Sequence, residues 1–202
     1  MDTSSISQKS YSQAKEVPGN LFDAPEGSAL IHACNSRGIW GSGIAKEFKE
    51  RYPTAYGIYR NHCLGHIRNR TIHDVVNLKA ENNNESDNLI SVRRPVGTAL
   101  IIPPQTLDRR YGGKGHWVIC LFTSFDYGKR ADPPDLIVNS TYAALHHLKI
   151  QLNTLEERNF YLEEATPGQL MACRFNSGLF GVFWERTRRL LEKVDLDVAV
   201  VY

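Results

Sequence analysis

The sequence predicts an α/β fold of three layers, with helices packed on both faces of a central sheet. Three observations carry that prediction. Short apolar runs of strand length recur at 28–33, 97–102, 117–123, 170–175 and 196–202. Segments with helical spacing alternate with them, and small-residue loops follow the first and the fourth of these runs. At 202 residues and 42% hydrophobic content the chain can bury one substantial core, so a single domain over 16–202 is expected.

The elements follow in order. Met1 to Lys15 is rich in Ser, Gln and Lys without apolar periodicity and reads as a disordered tail. Leu21 to Ala33 reads as a strand interrupted by the turn residues Asp23-Ala-Pro-Glu-Gly27; its apolar part, Ser28-Ala-Leu-Ile-His-Ala33, ends at Asn35. Ile44 to Arg51 is amphipathic and halts at Pro53, which opens a second helix ending at Gly65. From Arg68 to Pro95 the pattern weakens, and the polar insertion from Glu81 to Asn88 reads as a solvated loop.

Gly97 to Ile102 and Trp117 to Thr123 suit interior strands. Pro133 to Leu152 carries Leu136, Ile137, Tyr142, Leu145, Leu148 and Leu152 at helical spacing, and Leu155 to Pro167 reads as helix passing into loop. Leu170 to Phe175 returns as strand and Leu196 to Tyr202 as the last one. Between them Trp184 to Val194 forms a helix whose Arg186, Arg188, Arg189 and Lys193 mark its solvated side.

The most informative segment is Trp40-Gly41-Ser42-Gly43-Ile44-Ala45, between the strand ending at Asn35 and the first helix. A strand, a glycine loop and a helix start together present free backbone N–H groups and a positive dipole end, which favours an anion and phosphate above all. Two standard phosphate motifs fail here. No Gly-Lys-Ser/Thr triplet exists for a P-loop, and a dinucleotide fingerprint begun at Gly41 meets the bulky Lys46 at its sixth position. The acidic ribose partner is missing too, where Tyr59-Arg-Asn-His62 stands.

Composition excludes other classes. A net charge of +2 is close to neutral and predicts neither nucleic-acid nor membrane partners. No apolar run approaches the ~20 residues of a membrane span, and no charged-then-apolar leader opens the sequence. Cys34, Cys63, Cys120 and Cys173 lie far apart without a Cys-x-x-Cys pair, so buried reduced thiols are expected rather than disulfides or zinc ligands. That usage fits a cytoplasmic protein, with the nucleus as a second compartment. No cofactor and no metal site are expected.

These residues resemble a macrodomain. The resemblance rests on His32-Ala33-Cys34-Asn35, on Trp40 through Ala45, and on a second loop, Phe175-Asn176-Ser177-Gly178-Leu179-Phe180-Gly181, trailed by Val182-Phe-Trp-Glu185. It covers Val17 to Tyr202. The tryptophan before Gly-Ser-Gly, the strand end Cys120-Leu-Phe-Thr-Ser124 and the Asn-Ser-Gly-Leu-Phe-Gly-Val run are most similar to the fungal ADP-ribose 1''-phosphate phosphatases. The resemblance implies a mixed central sheet and ADP-ribose or its 1''-phosphate as small-molecule ligand. It implies release of phosphate from a by-product of tRNA splicing, with ADP-ribosylated proteins as further partners. An ADP-ribose-binding module and a hydrolase of ADP-ribosylated proteins are the alternatives.

What the resemblance implies for residues is specific. Pro18-Gly-Asn20-Leu21-Phe22 would supply the first strand and the adenine-side contact, and Asn35 would sit near the distal ribose. His32 and Asp126 are candidates for acid–base work, against the ordinary alternatives of a core histidine and a surface aspartate. Trp40 is a candidate lid of the crevice and Phe180 a candidate ribose contact, with a place in the core as the equal alternative for each. Related hydrolases with a lysine nucleophile carry it where Ser124 and Phe125 stand and an aspartate where Phe180 and Gly181 stand, which favours direct hydrolysis here. Amides of both loops must converge to supply micromolar binding, about 8 kcal/mol.

Overall fold

A computed structural model describes residues 14–68, 95–162 and 165–202. The expected polar loop at 81–88 lies outside the described residues, as does the expected tail except for Ala14 and Lys15. Six strands form one sheet in the order β1-β6-β5-β2-β4-β3. They are β1 (Lys15–Val17), β2 (Ala29–Asn35), β3 (Ala99–Ile102), β4 (Trp117–Ser124), β5 (Leu170–Cys173) and β6 (Val198–Val201). Among the described residues only the β3–β4 pair is antiparallel, so the sheet is mixed.

Among the described residues four helices cover the faces: α1 (Gly43–Arg51), α2 (Pro53–Arg68), α3 (Pro134–Leu162) and α4 (Trp184–Val194). Alternation along β4 sorts them. Trp117, Ile119 and Leu121 join Leu145 and Leu148 of α3 and Leu191 of α4 in one core. Val118, Cys120 and Phe122 join Phe48 of α1 and Tyr59 of α2 in the other. A strand buried on both faces reads as a continuous apolar run, which is why β2 and β4 stand out in the sequence.

Pro53 opens α2 where its missing N–H costs nothing, and the Asp108 carboxylate accepts the next two amides, Thr54 N at 2.7 Å and Ala55 N at 3.2 Å. The expected helix end at Leu152 and restart at Leu155 are one continuous helix, α3. Nothing between Asp135 and Leu162 is Gly or Pro, and Thr154 satisfies its hydroxyl on Ile150 O at 3.0 Å without leaving the helix. The expected first strand at 18–22 is also corrected: Leu21–Asp23 is a 3₁₀ turn, and the strand lies just before it at Lys15–Val17. Its pairing with β6 fixes it, since three residues carry no periodicity of their own.

Because β2, β4 and β5 run parallel, the segments leaving their C-terminal ends gather at one edge of the sheet. A binding crevice belongs there. Among the described residues no helix is long and apolar enough to cross a membrane.

Candidate active site

Asn35 ends β2 where the β2–β4 register shifts: Cys34 pairs with Phe122 but Asn35 with Ser124. Its side chain then builds the loop. Asn35 Oδ1 accepts from Arg37 N at 3.0 Å and Ile39 N at 3.3 Å, and Nδ2 donates to Ile39 O at 2.6 Å. From below, the Tyr59 hydroxyl donates to the Asn35 carbonyl at 2.6 Å. Burial, with the nearby Cys34, pushes the Tyr59 phenol far up, so it stays a donor.

The chain turns at buried Trp40 and enters α1 through Gly43, whose φ of 56° favours glycine. Ser42 stands at the N-cap in an extended conformation without a side-chain capping bond. The amides of Gly43, Ile44 and Ala45 therefore have no acceptor within the helix. These are the donors the sequence predicts for an anion.

The second loop is held from behind. Asn176 adopts a left-handed φ of 66° and is pinned by Thr123 Oγ1, which donates to its Oδ1 at 2.9 Å. Its Nδ2 donates to Thr141 Oγ1 at 2.8 Å on α3. The loop closes through Val182 N to Asn176 O and Gly181 N to Gly178 O, both 3.0 Å, and through the Ser177 hydroxyl to Arg174 O. Between the loops lies a cavity of about 360 Å³. The first loop lines it with Ala33, Cys34, Asn35 and Trp40 through Ala45; the second with Phe175, Asn176, Gly178, Leu179 and Phe180.

With that geometry established, the relatives are informative. The chain is 48% identical over 190 residues to the ADP-ribose 1''-phosphate phosphatase of Aspergillus fumigatus, covering 94% of each chain. It is 46% identical over 202 residues to the enzyme of that name from Aspergillus oryzae, covering 96% of each. The chain belongs to the ADP-ribose 1''-phosphate phosphatase family. No family model matches it. Among solved structures, the macrodomain of Thermus aquaticus DarG superposes with a TM-score of 0.60 at 17% identity, over 93% of this chain and 96% of that one. The macrodomain of Mycobacterium tuberculosis DarG gives 0.59 at 19% identity, over 93% and 95%. The fold is that of a macrodomain.

Several residues expected at the site of this phosphatase-family chain lie elsewhere. Asn20 caps the 3₁₀ turn through Oδ1 and Phe22 N at 3.0 Å, and Leu21 is buried in the core beneath it; neither lines the cavity. His32 is a core residue. Its ring is fully buried, stacked on Phe48 at 4.1 Å and edge-on to Trp40 at 4.8 Å. Trp40 is no lid, since it stacks on Tyr59 at 4.8 Å with 1% of its surface exposed. Ser177 and Gly181 shape the second loop from outside the cavity lining.

Asp126 is likewise outside the lining. Its carboxylate accepts from Tyr127 N at 2.9 Å and faces Arg130 Nε at 3.5 Å and Arg37 Nε at 3.8 Å, which fastens the segment after β4. Two cations and an amide thus surround the carboxylate, in keeping with the structural alternative for this aspartate.

The sequence reading missed Ile39, Tyr127, Cys173 and Arg174, all of which line the cavity. Arg174 Nε donates to Glu16 Oε2 at 3.0 Å, and Trp184 Nε1 donates to Glu16 Oε1 at 2.9 Å. Those bonds, from Trp184 and then Arg174, hold the Glu16 carboxyl below its ordinary 4.5. The titratable side chains lining the cavity, among the described residues, are Cys34, Tyr127, Cys173 and Arg174. Burial opposes ionisation of Cys34, yet Cys120, His32 and Trp40 together bring its thiol down to about 6. Burial pushes the Cys173 thiol up to about 12.

Proposed function

We propose that this chain hydrolyses ADP-ribose 1''-phosphate to ADP-ribose and inorganic phosphate. The observation that carries the reading is family membership at 43–48% identity to four phosphatases of that name, along nearly the whole chain. The cavity supports it chemically. A diphosphate bound without lysine clamps needs main-chain donors, and donors approach closely only where side chains are small. Gly41 and Gly43 meet that need on one wall and Gly178 on the other. A fold neighbour, Thermosipho africanus DarTG, was solved with ADP-ribose bound, with a TM-score of 0.58 over 92% of this chain and 40% of that one.

Among the described residues, no Asp, Glu or His lines the cavity. That suits the reaction. Phosphoryl transfer to water passes through a loose transition state in which positioning and stabilisation of the equatorial oxygens matter more than a strong base. In this reading the amides at the start of α1 hold the diphosphate, and the Asn35-braced loop positions the terminal phosphate for attack by water. Water adds to phosphorus as the bond to the 1'' oxygen breaks, and the released sugar oxygen takes a proton.

The substrate is proposed to arise from tRNA splicing, and proteins carrying ADP-ribose are proposed as further partners of the same cavity. Incubating the purified chain with ADP-ribose 1''-phosphate should release phosphate and leave ADP-ribose. Binding without release would leave a recognition module. Release of ADP-ribose from an auto-modified polymerase, with no phosphate liberated from the monoester, would make the chain a protein de-ADP-ribosylase.

A further inference from the structure

Directly beneath the cavity, β2 and β4 bring together three soft or borderline ligands that the sequence holds far apart. His32 and Cys34 alternate onto one face of β2, and the register sets Cys120 of β4 beside His32. One ligand atom from each of His32, Cys34 and Cys120 lies within 4.8 Å of the others, and all three residues are buried. We infer that His32, Cys34 and Cys120 form a binding site for a thiophilic divalent cation, zinc above all.

The distances fit such an ion. Zinc bonds of about 2.3 Å to sulfur and about 2.0 Å to nitrogen, at tetrahedral angles, set S···N near ~3.5 Å and S···S near ~3.8 Å. Cys34 Sγ stands 3.5 Å from His32 Nε2 and 3.7 Å from Nδ1, so the imidazole turns to aim one nitrogen at an ion shared with that sulfur. No pair in the trio exceeds 4.8 Å, so Cys120 reaches the same geometry by a movement of at most ~1.3 Å.

Polar accounting points the same way. A fully buried imidazole ordinarily finds an oxygen or nitrogen partner. The hydrogen-bond contacts of the His32 ring among the described residues are both to Cys34 Sγ, at 3.5 and 3.7 Å. Trp40 Nε1, on a ring 4.8 Å from that of His32, makes no hydrogen bond of good geometry among the described residues and has the Cys34 sulfur within its reach.

Charge balances as well. Two thiolates and a neutral imidazole around Zn²⁺ give a neutral cluster suited to an apolar core, and binding releases the two thiol protons to solvent. Three protein ligands leave one position free, and Cys34 is a residue that both belongs to the trio and lines the cavity. The site would thus join the floor of the cavity to the ion.

The inference does not rest on the phosphatase reading, because metal content is measured without substrate. The full-length chain, purified under reducing conditions and exposed to Zn²⁺, should retain about one zinc per chain through gel filtration. Replacing zinc by Co²⁺ should give the sulfur-to-cobalt charge-transfer bands and the intense visible bands of a tetrahedral thiolate site. Cys34→Ser and Cys120→Ser should each lose the charge-transfer intensity and most of the bound metal. Where a variant fails to fold, cobalt spectroscopy on the unaltered chain still decides. Absence of zinc and of thiolate–cobalt bands in the unaltered chain would overturn the inference. So would metal binding undiminished in a folded Cys34→Ser/Cys120→Ser chain, or a Cys34–Cys120 disulfide in the protein as isolated from cells.

Discussion

Gly43 and Leu179 face each other across the cavity: a Cβ added to Gly43 would lie 3.6 Å from Leu179 Cδ1. One begins α1 and the other sits on the loop after β5, so this pair measures the gap between the two walls. Gly43 also has a φ of 56°, where a side chain is disfavoured by about 1–2 kcal/mol. Gly43→Ala should therefore cost about 1 kcal/mol of stability while leaving room for ligand. Gly43→Glu puts a carboxylate against the diphosphate and should weaken ADP-ribose binding by more than about 100-fold, or ~2.7 kcal/mol. Calorimetric titration with a circular-dichroism check of folding tests both. Undiminished affinity in folded Gly43→Glu would place the ligand elsewhere.

Asn35 organises its loop more than it faces a ligand. Its amide oxygen accepts two loop amides, and the Tyr59 hydroxyl lies 3.2 Å from the same oxygen. Asn35→Ala leaves the Arg37 and Ile39 amides without that acceptor, while the Tyr59 hydroxyl keeps the main-chain carbonyl, and should cost about 1–3 kcal/mol. Affinity and turnover should fall together, since the loop that carries Gly41 to Gly43 loosens. Tyr59→Phe removes one donor from the same network and should give a smaller loss of both, near 1 kcal/mol in stability. A large loss of kcat in Asn35→Ala with KM and melting temperature unchanged would instead place Asn35 on the reacting atoms.

Which parts of this molecule the sequence disclosed follows from how far each signal reaches. Gly43 and Gly178 were legible because the need for small residues at a helix start and a tight loop is written in residue type. β2 and β4 were legible because burial on both faces makes them apolar throughout. β1 was not, since Lys15-Glu-Val17 carries no pattern until β6 supplies its partner. His32 and Asp126 showed the right chemistry for a site, but residue type does not say which way a side chain points. Stacking on Phe48 draws His32 inward, and Arg37 and Arg130 hold Asp126 aside. The meeting of Cys120 with His32 depends on strand register, which no local spacing records.

His116 predicts a pH dependence of stability. It is buried, donates from Nε2 to Ala24 O at 2.9 Å and accepts at Nδ1 from the Tyr52 hydroxyl at 2.6 Å. Burial holds its pKa below the ordinary 6.5 despite the Ala24 bond. The unfolded chain thus binds a proton that the folded chain refuses. Stability from this residue is complete above pH 6.5 and declines as pH falls below it, towards the lower folded value. Urea midpoints measured from pH 7.5 to 5 should drop, with part of the slope absent in His116→Gln. An identical slope in the variant would assign the dependence to other groups.

Glu16 tests how the second loop is held. Its carboxylate joins Arg174, next to Phe175 at the cavity wall, to Trp184 at the start of α4. Trp184 and Arg174 keep its pKa below 4.5, so the folded chain holds the ionised form more tightly than the unfolded one. That contribution is complete above pH 4.5 and is lost as pH falls through the depressed folded value. The pair is a quarter to a half exposed, which limits its worth to about 1 kcal/mol or less. Glu16→Gln should lower the melting temperature slightly at pH 7 and converge on the unaltered chain in acid. Releasing Arg174 should also loosen the loop, so ADP-ribose affinity should fall several-fold at pH 7. Equal affinity alongside the expected stability loss would mean that Asn176, pinned by Thr123 and Thr141, holds the loop without help from Glu16.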